Sequence, residues 1–313
     1  MALGLALWPK RYMTTFRKLN AALEQNRSAI VLADNLEVLR ALPDGCARLI
    51  YIDPPFNTGK RKVSNRIKVR RSESGERVGF GGHRYTVRRL KSIGFDDYVE
   101  DLFEFLEPRF VEARRVLTVD GSLFVHFDYR EVHYCKVLLD EVFGRRCFQN
   151  EIIWAYDFGG RSRSRWSPKH DNILWYSRHP TKLVYNFDCI DRIPYMAPSL
   201  VGPEKAARGK TPTDVWWQTI VPTNGAERTG YPTQKPVRIL ERIVRVHSQP
   251  GDLVLDFFAG SGTAGAAAGG LQRRFCLVDS NPDAVKVMRK RLREFQPVCL
   301  GAPKRSRQQQ EAG

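Results

Sequence analysis

Leu253-Val254-Leu255-Asp256-Phe257-Phe258-Ala259-Gly260-Ser261-Gly262-Thr263-Ala264-Gly265 reads as a buried strand that breaks into a glycine turn and restarts as an alanine-rich helix. Small residues let the backbone turn tightly and approach a ligand, whose charged part then faces the helix N-terminus. The next apolar run, Phe275-Cys276-Leu277-Val278, ends at Asp279, placed to accept from ribose hydroxyls. The pair indicates a nucleoside cofactor. Gly260, Gly262 and Gly265 also satisfy G-x-G-x-x-G, so a nicotinamide-dependent dehydrogenase is the rival reading. Position argues against it. The sequence ends at residue 313, too soon after Asp279 for a second dinucleotide-binding half, so the remaining strands must come from upstream. That requires a circularly permuted sheet, cofactor strands last and a catalytic strand first. Asp256, just before the glycines, suits a positively charged amino group on the ligand.

Upstream, Leu49-Ile50-Tyr51-Ile52 runs into Asp53-Pro54-Pro55-Phe56, the most specific short signal in the chain. Two prolines stiffen the turn and remove backbone donors, leaving carbonyl oxygens free to face a ligand. Asp53 adds an acceptor and Phe56 a flat face for stacking. An exocyclic amine offers two N–H donors and a lone pair delocalised into its ring. Paired acceptors, the Asp53 carboxylate and the Pro54 carbonyl, would polarise it and aim the lone pair at an electrophile. Asp-Pro-Pro alone is a turn in most proteins; at a strand end, in a chain that also carries the glycine turn, it reads as catalytic. Further strands are expected at Ile30–Leu32, Ser122–Phe127 and Ile173–Tyr176. Helices are expected at Leu36–Ala41, Tyr98–Leu117, Val132–Phe143, Pro236–Val246 and Pro282–Phe295. Their alternation predicts an α/β fold with a doubly wound, mostly parallel sheet.

Charge names the partner. Lys and Arg number 51 against 34 Asp and Glu, a formal +17 with a pI near 9.8. That surplus points to a polyanion, nucleic acid or an anionic membrane surface. No apolar run reaches the roughly 20 residues that span a bilayer, and Ala2–Trp8 reads as a ragged start, not a signal peptide. A cytosolic protein is expected. Between Lys60 and Lys91 stand twelve Lys or Arg against Glu73 and Glu76. This reads as a basic loop whose Lys60, Arg61, Lys62, Arg70, Arg71, Arg88 and Arg89 meet phosphates, in preference to a merely solvated loop. Gly159–Trp166 interleaves Arg161, Arg163 and Arg165 with Trp166 and reads as a second nucleic-acid loop. Six scattered cysteines, with no C-x-x-C pair or histidine cluster beside them, predict reduced thiols and no metal. No Pro-Cys pair occurs either.

Over roughly residues 28–296 the chain resembles the permuted β-class DNA amino-methyltransferases. The resemblance rests on Ala33-Asp34-Asn35-Leu36-Glu37-Val38-Leu39, Tyr51–Gly59, Tyr231-Pro232-Thr233-Gln234-Lys235-Pro236 and Asp256–Thr263, in the family's permuted order. It departs at Phe257 and Ala264, where most members carry Pro and Thr. The resemblance implies S-adenosyl-L-methionine as methyl donor, with Asp34 on its adenine amino group and Asp279 on its ribose. Lys235 and Thr263 would hold its carboxylate, and Asp53, Asp256, Phe258, Gly260 and Gly262 complete the cofactor site. Asp53, Pro54, Pro55 and Phe56 would hold the target base, duplex DNA being the partner. Asp34 reads equally as a helix N-cap. Asp at the first position of the turn implies N6-adenine, and N4-cytosine stays open. RNA methylation and a catalytically silent DNA-binding module are the remaining alternatives. A bacterial or archaeal, nucleoid-associated setting, a cognate restriction enzyme and a homodimer are compatible with the resemblance. The expected organisation is an N-terminal extension 1–27 and a catalytic half 28–144 with its basic loop at 60–91. A target-recognition region 145–230, partly sheet and with most of its tryptophans in the core, comes next. A cofactor half 231–296 and a disordered tail 297–313 close the chain.

Overall fold

The computed structural model describes residues 10–56, 74 and 100–301, with the backbone of 60–64, 67–71, 77–78, 84–89 and 93–97. The chain opens with α1 (Lys10–Glu24), β1 (Ala29–Leu32), α2 (Asn35–Ala41) and β2 (Ala47–Ile52). Five short strands follow: β3 (Lys60–Ser64), β4 (Ile67–Arg71), β5 (Arg77–Val78), β6 (Arg84–Arg89) and β7 (Ile93–Asp97). Next come α3 (Leu102–Val116), β8 (Leu117–Asp128), α4 (Val132–Phe143), β9 (Phe148–Ala155) and β10 (His170–Ser177). The last part holds α5 (Pro203–Arg208), β11 (Val215–Trp217), α6 (Val237–His247), β12 (Leu253–Asp256), α7 (Thr263–Gly270), β13 (Arg274–Asp279), α8 (Pro282–Arg291) and β14 (Val298–Leu300).

Nine strands form one sheet in the order β11-β9-β10-β8-β2-β12-β13-β1-β14. Every pairing is parallel except the two made by β10. The central strands are apolar throughout because both faces are covered. Along β2, Ile50 and Ile52 join the core under α1–α4, while Leu49 and Tyr51 join the core under α6–α8. β2 and β12 are neighbours, yet the helix after β2 lies on the first face and the helix after β12 on the second. A crevice opens at the carboxyl ends of two such strands, the usual ligand position in an open α/β sheet. The expected doubly wound, permuted α/β fold is what the chain adopts.

Two expectations are corrected. The basic segment is not a loop: β3 pairs with β7, and β4, β6 and β5 form a separate three-stranded sheet. The alternation Ile67-Lys68-Val69-Arg70 has the two-residue period that a strand requires. The side chains of Lys60, Arg61, Lys62, Arg70, Arg71, Arg88 and Arg89 lie outside the described residues, as do residues 1–9 and 302–313. The tail does not start at 297, because Val298–Leu300 pairs parallel with β1 and closes that sheet edge. Among the tryptophans of the recognition region, Trp154 is buried and Trp175 and Trp216 pack against the core, while Trp166 is fully exposed at 100% and Trp217 is exposed at 74%. β9, β10 and β11 all belong to the main sheet, so a recognition region of 145–230 shares its strands with the fold. Among the described residues, no helix is long and apolar enough to cross a membrane.

Candidate active site

Parallel strands deliver their last residues to one edge, and here those residues are carboxylates. Asp53 follows β2, Asp128 ends β8, Asp256 ends β12, Asp279 ends β13, and Asp34 lies two residues beyond β1. β10 runs the other way, so its beginning, His170-Asp171, reaches the same edge. All six aspartates line one cavity of ≈ 560 Å³, together with Pro54, Pro55, Phe56, Lys235, Phe258, Gly260 and Thr263. The structure therefore gathers into one cleft the catalytic turn and the cofactor residues singled out in sequence. Gly262 lies behind that wall: with φ +75°, it would place a Cβ 2.8 Å from Cγ of Met288.

The glycine turn is held by Asp279, which accepts from Gly260 N–H at 2.8 Å and Asn281 N–H at 2.7 Å. Burial pushes its carboxyl up to about 6, against the pull of those two donors. Asp34 is indeed an N-cap, accepting from Leu36 N–H at 2.9 Å and Glu37 N–H at 3.2 Å. Its other oxygen lies 3.4 Å from Arg109, which also donates to Asn35 at 2.6 Å. Asn35 in turn donates to the Phe257 carbonyl, clamping the β1 end against the glycine turn. Phe257 itself is fully buried, which explains how the turn tolerates it in the family's proline position.

Asp256 is buried, accepts from Phe258 N–H at 3.0 Å, and its carboxyl is pushed well above the usual range by burial. The Phe258 N–H and Lys235 oppose that shift, and Asp53 and Asp279 add to it. A raised carboxyl favours the folded state at low pH, and ionisation costs stability as pH rises through the raised value. Asp256→Asn, which keeps the acceptor for Phe258, is expected to melt a few degrees above the parent at pH 8. The gap should narrow as pH falls; thermal melts that show a pH-independent gap would contradict the assignment.

Lys235 is nearly buried and rests on Asp53, its Nζ donating to Oδ2 at 2.5 Å and standing 5.1 Å above the Phe56 ring. Lys235 therefore meets the Asp53 carboxylate, a contact not expected from sequence, as well as Thr263, whose hydroxyl donates to the Lys235 carbonyl at 3.2 Å. Rigid Pro236, the N-cap of α6, fixes this approach. The second oxygen of Asp53 is buried and has no hydrogen-bond donor among the described residues. Its neighbour, at 3.7 Å, is Nδ1 of His126.

Sequence reading missed His126, Asp171, Tyr156, Asn35 and Arg109. His126 interrupts the apolar run Leu123–Phe127, the one signal that marked it, since a fully buried ionisable group needs partners. The exposed arginines 161, 163 and 165 lie in the loop between β9 and β10, which opens beside the cavity at Phe158, Pro168 and His170. Lys169 ties that loop together by donating to the Phe158 and Gly159 carbonyls.

A family model described as DNA methylase, of N6 and N4 amino groups, matches residues 47–290. The type II methyltransferase M.HpaI of Haemophilus parainfluenzae is 29% identical over 264 residues, 84% of this chain and 73% of that one. The DNA adenine methyltransferase YhdJ of Escherichia coli K12 is 26% identical over 276 residues, 84% of this chain and 82% of its own length. Among solved structures, the M1.HpyAVI–SAM complex superposes with a TM-score of 0.54 at 21% identity, covering 84% of this chain and 98% of the other. The cytosine-N4-specific PvuII DNA methyltransferase superposes at 0.56 with 17% identity, covering 91% and 90%.

Proposed function

The chain belongs to the N6/N4 DNA methylase family, and from that premise we propose that it moves a methyl group from S-adenosyl-L-methionine to N6 of adenine in duplex DNA. One observation carries the reading: Asp53, just past the central strand β2, lines the large cleft, and its Oδ1 is a buried acceptor without a donor among the described residues. The amine of a base extruded from the helix supplies that donor. Asp53 and the Pro54 carbonyl take its two N–H groups, and Phe56 stacks on the ring.

The residues present fit the methyl donor. Asp279 keeps lone pairs for ribose hydroxyls beyond the two backbone donors it already accepts. Gly260, with φ +48°, leaves bare backbone where a Cβ would stand 3.2 Å from the Tyr231 ring. Asp34 would meet the adenine amino group, Phe258 its ring, Asp256 the amino group of the methionine part, and Lys235 with Thr263 the carboxylate. The donor supplies a methyl on a positively charged sulfur, open to in-line attack. The protein supplies orientation and acceptors for the positive charge that grows on the amine, with no covalent enzyme intermediate.

Asp53 favours adenine over cytosine, and YhdJ, a DNA adenine methyltransferase by name, is among the relatives. Transfer from labelled donor to unmethylated bacterial DNA, followed by digestion to nucleosides, tests this. Label in N6-methyladenosine is expected; label in N4-methylcytosine would overturn the base assignment, and label in RNA alone would overturn the substrate.

The loop of Arg161, Arg163 and Arg165 grips phosphates at the mouth of the cleft. Each phosphate contact releases about one counterion, so replacing all three by Ala should flatten the log–log salt dependence of DNA affinity by about 1 for each phosphate no longer gripped. Arg161 already pairs with Asp157 at 2.8 Å and should contribute least. An unchanged salt slope would remove this loop from the interface.

A further inference from the structure

His126 lies fully buried in β8, with each ring nitrogen facing an acid of the catalytic edge. Nε2 is 3.0 Å from Asp171 Oδ2, and Nδ1 is 3.0 Å from the Tyr51 hydroxyl and 3.7 Å from Asp53 Oδ1. Asp171 is itself held, accepting from the Tyr156 hydroxyl at 3.0 Å. Its carboxyl, though burial opposes this, is kept below the usual range chiefly by His126. The groups facing the imidazole are thus Tyr51 and Asp53 from β2, Asp171 from β10, and the uncharged rings of Phe56 and Trp154. Lys235 acts on it through Asp53.

Asp171 can only accept, so Nε2 carries the ring proton and donates to it. Tyr51, its phenol held protonated by burial and by Asp53, Asp256 and Asp171, donates to Nδ1. Nδ1 and Asp53 Oδ1 then face each other with no proton between them. The pair lacks one proton, at the point where the reaction releases one.

We propose that His126 is the positioning residue that takes up, through Asp53, the proton lost by the methylated amine. This rests on the methyltransferase reading above. The product amine carries a positive charge and one proton too many. Its N–H bond breaks as an O–H bond forms at Asp53 Oδ1, the oxygen that Lys235 leaves open. That O–H bond then breaks as an N–H bond forms at Nδ1, the Tyr51 hydroxyl turning its own hydrogen away from that nitrogen. Asp53 returns to carboxylate, and the imidazolium sits between two carboxylates until release of the base lets water remove the proton.

His126→Gln tests the assignment, because its amide can still donate to Asp171 but offers no titrating nitrogen to Asp53. Steady-state turnover across a pH series, which includes the proton loss that follows methyl transfer, is expected to be about 10²-fold slower near neutrality, the low end for positioned proton transfer. The parent should slow toward acid, where Nδ1 is filled in advance, and the variant should lose that limb. Melting temperature and donor KM should stay near the parent. A variant that keeps the parent's pH profile, whatever its rate, would overturn the relay. Nitrogen NMR of the parent imidazole should show the Nε2–H tautomer; an Nδ1–H tautomer would also overturn it. A parent that places no label in DNA would instead sink the methyltransferase reading.

Discussion

Asp53→Ala is expected to lower the single-turnover rate of methyl transfer by on the order of 10²- to 10³-fold, the loss typical of one preorganised electrostatic contact to developing charge. The attacking nitrogen is a poor nucleophile because its lone pair is spread into the ring. It gains reactivity only as acceptors draw its N–H bonds out of the conjugated arrangement and meet the growing positive charge. Asp53 Oδ1, just past β2, is placed for this, buried and without a donor among the described residues. Asp53→Asn keeps an acceptor oxygen but no charge, so its rate should fall between parent and Ala. Full activity in the Ala variant would remove Asp53 from the chemistry.

Lys235→Met should unfold at much lower temperature. Lys235 and Asp53 form a close pair with side chains only 10% and 20% exposed. Removing the cation leaves a carboxylate in a cleft that already holds Asp256 and Asp279. Breaking one side of a buried pair costs about 3–5 kcal/mol, or roughly ten degrees of melting temperature for a chain of this size. Lys235→Met combined with Asp53→Asn removes both charges and should recover most of that loss. Donor binding should not recover, because the ammonium for the donor's carboxylate is still missing. If the double variant is no more stable than Lys235→Met alone, the pair is not what holds this part of the fold.

The parts of this design that repeat locally were legible in the sequence. Buried central strands announce themselves as apolar runs, and β1, β2, β8, β12 and β13 each end in or near an aspartate, so their catalytic edge is readable from the residues alone. α4 was placed at both ends, because Gly144 stops it with φ +89°. What stayed hidden depends on pairing between distant segments. β9 begins Phe148-Gln149-Asn150-Glu151, polar enough to pass for a loop, and is a strand because β10 and β11 flank it. His126 meets Asp171 across 45 positions, and Arg109 meets Asn35 across 74, distances at which no local pattern operates. The role of Lys235 was half legible: its rigid prolines marked it, but its contact with Asp53 spans 182 positions.

Within the nine-stranded sheet, β10 is the one strand that runs against its neighbours, and that reversal separates two inheritances within the molecule. Because β9 leaves the reactive edge and β10 returns to it, the segment between Tyr156 and Lys169 is anchored at both ends beside the cleft, with the backbone of Tyr156 donating to the Lys169 carbonyl at 2.9 Å. Everything between those anchors can be lengthened, shortened or rewritten without displacing Asp171 or any parallel strand. A lineage could therefore retune the grip on phosphates proposed for this segment by editing it alone. The machinery that transfers the methyl group would pass through such changes untouched.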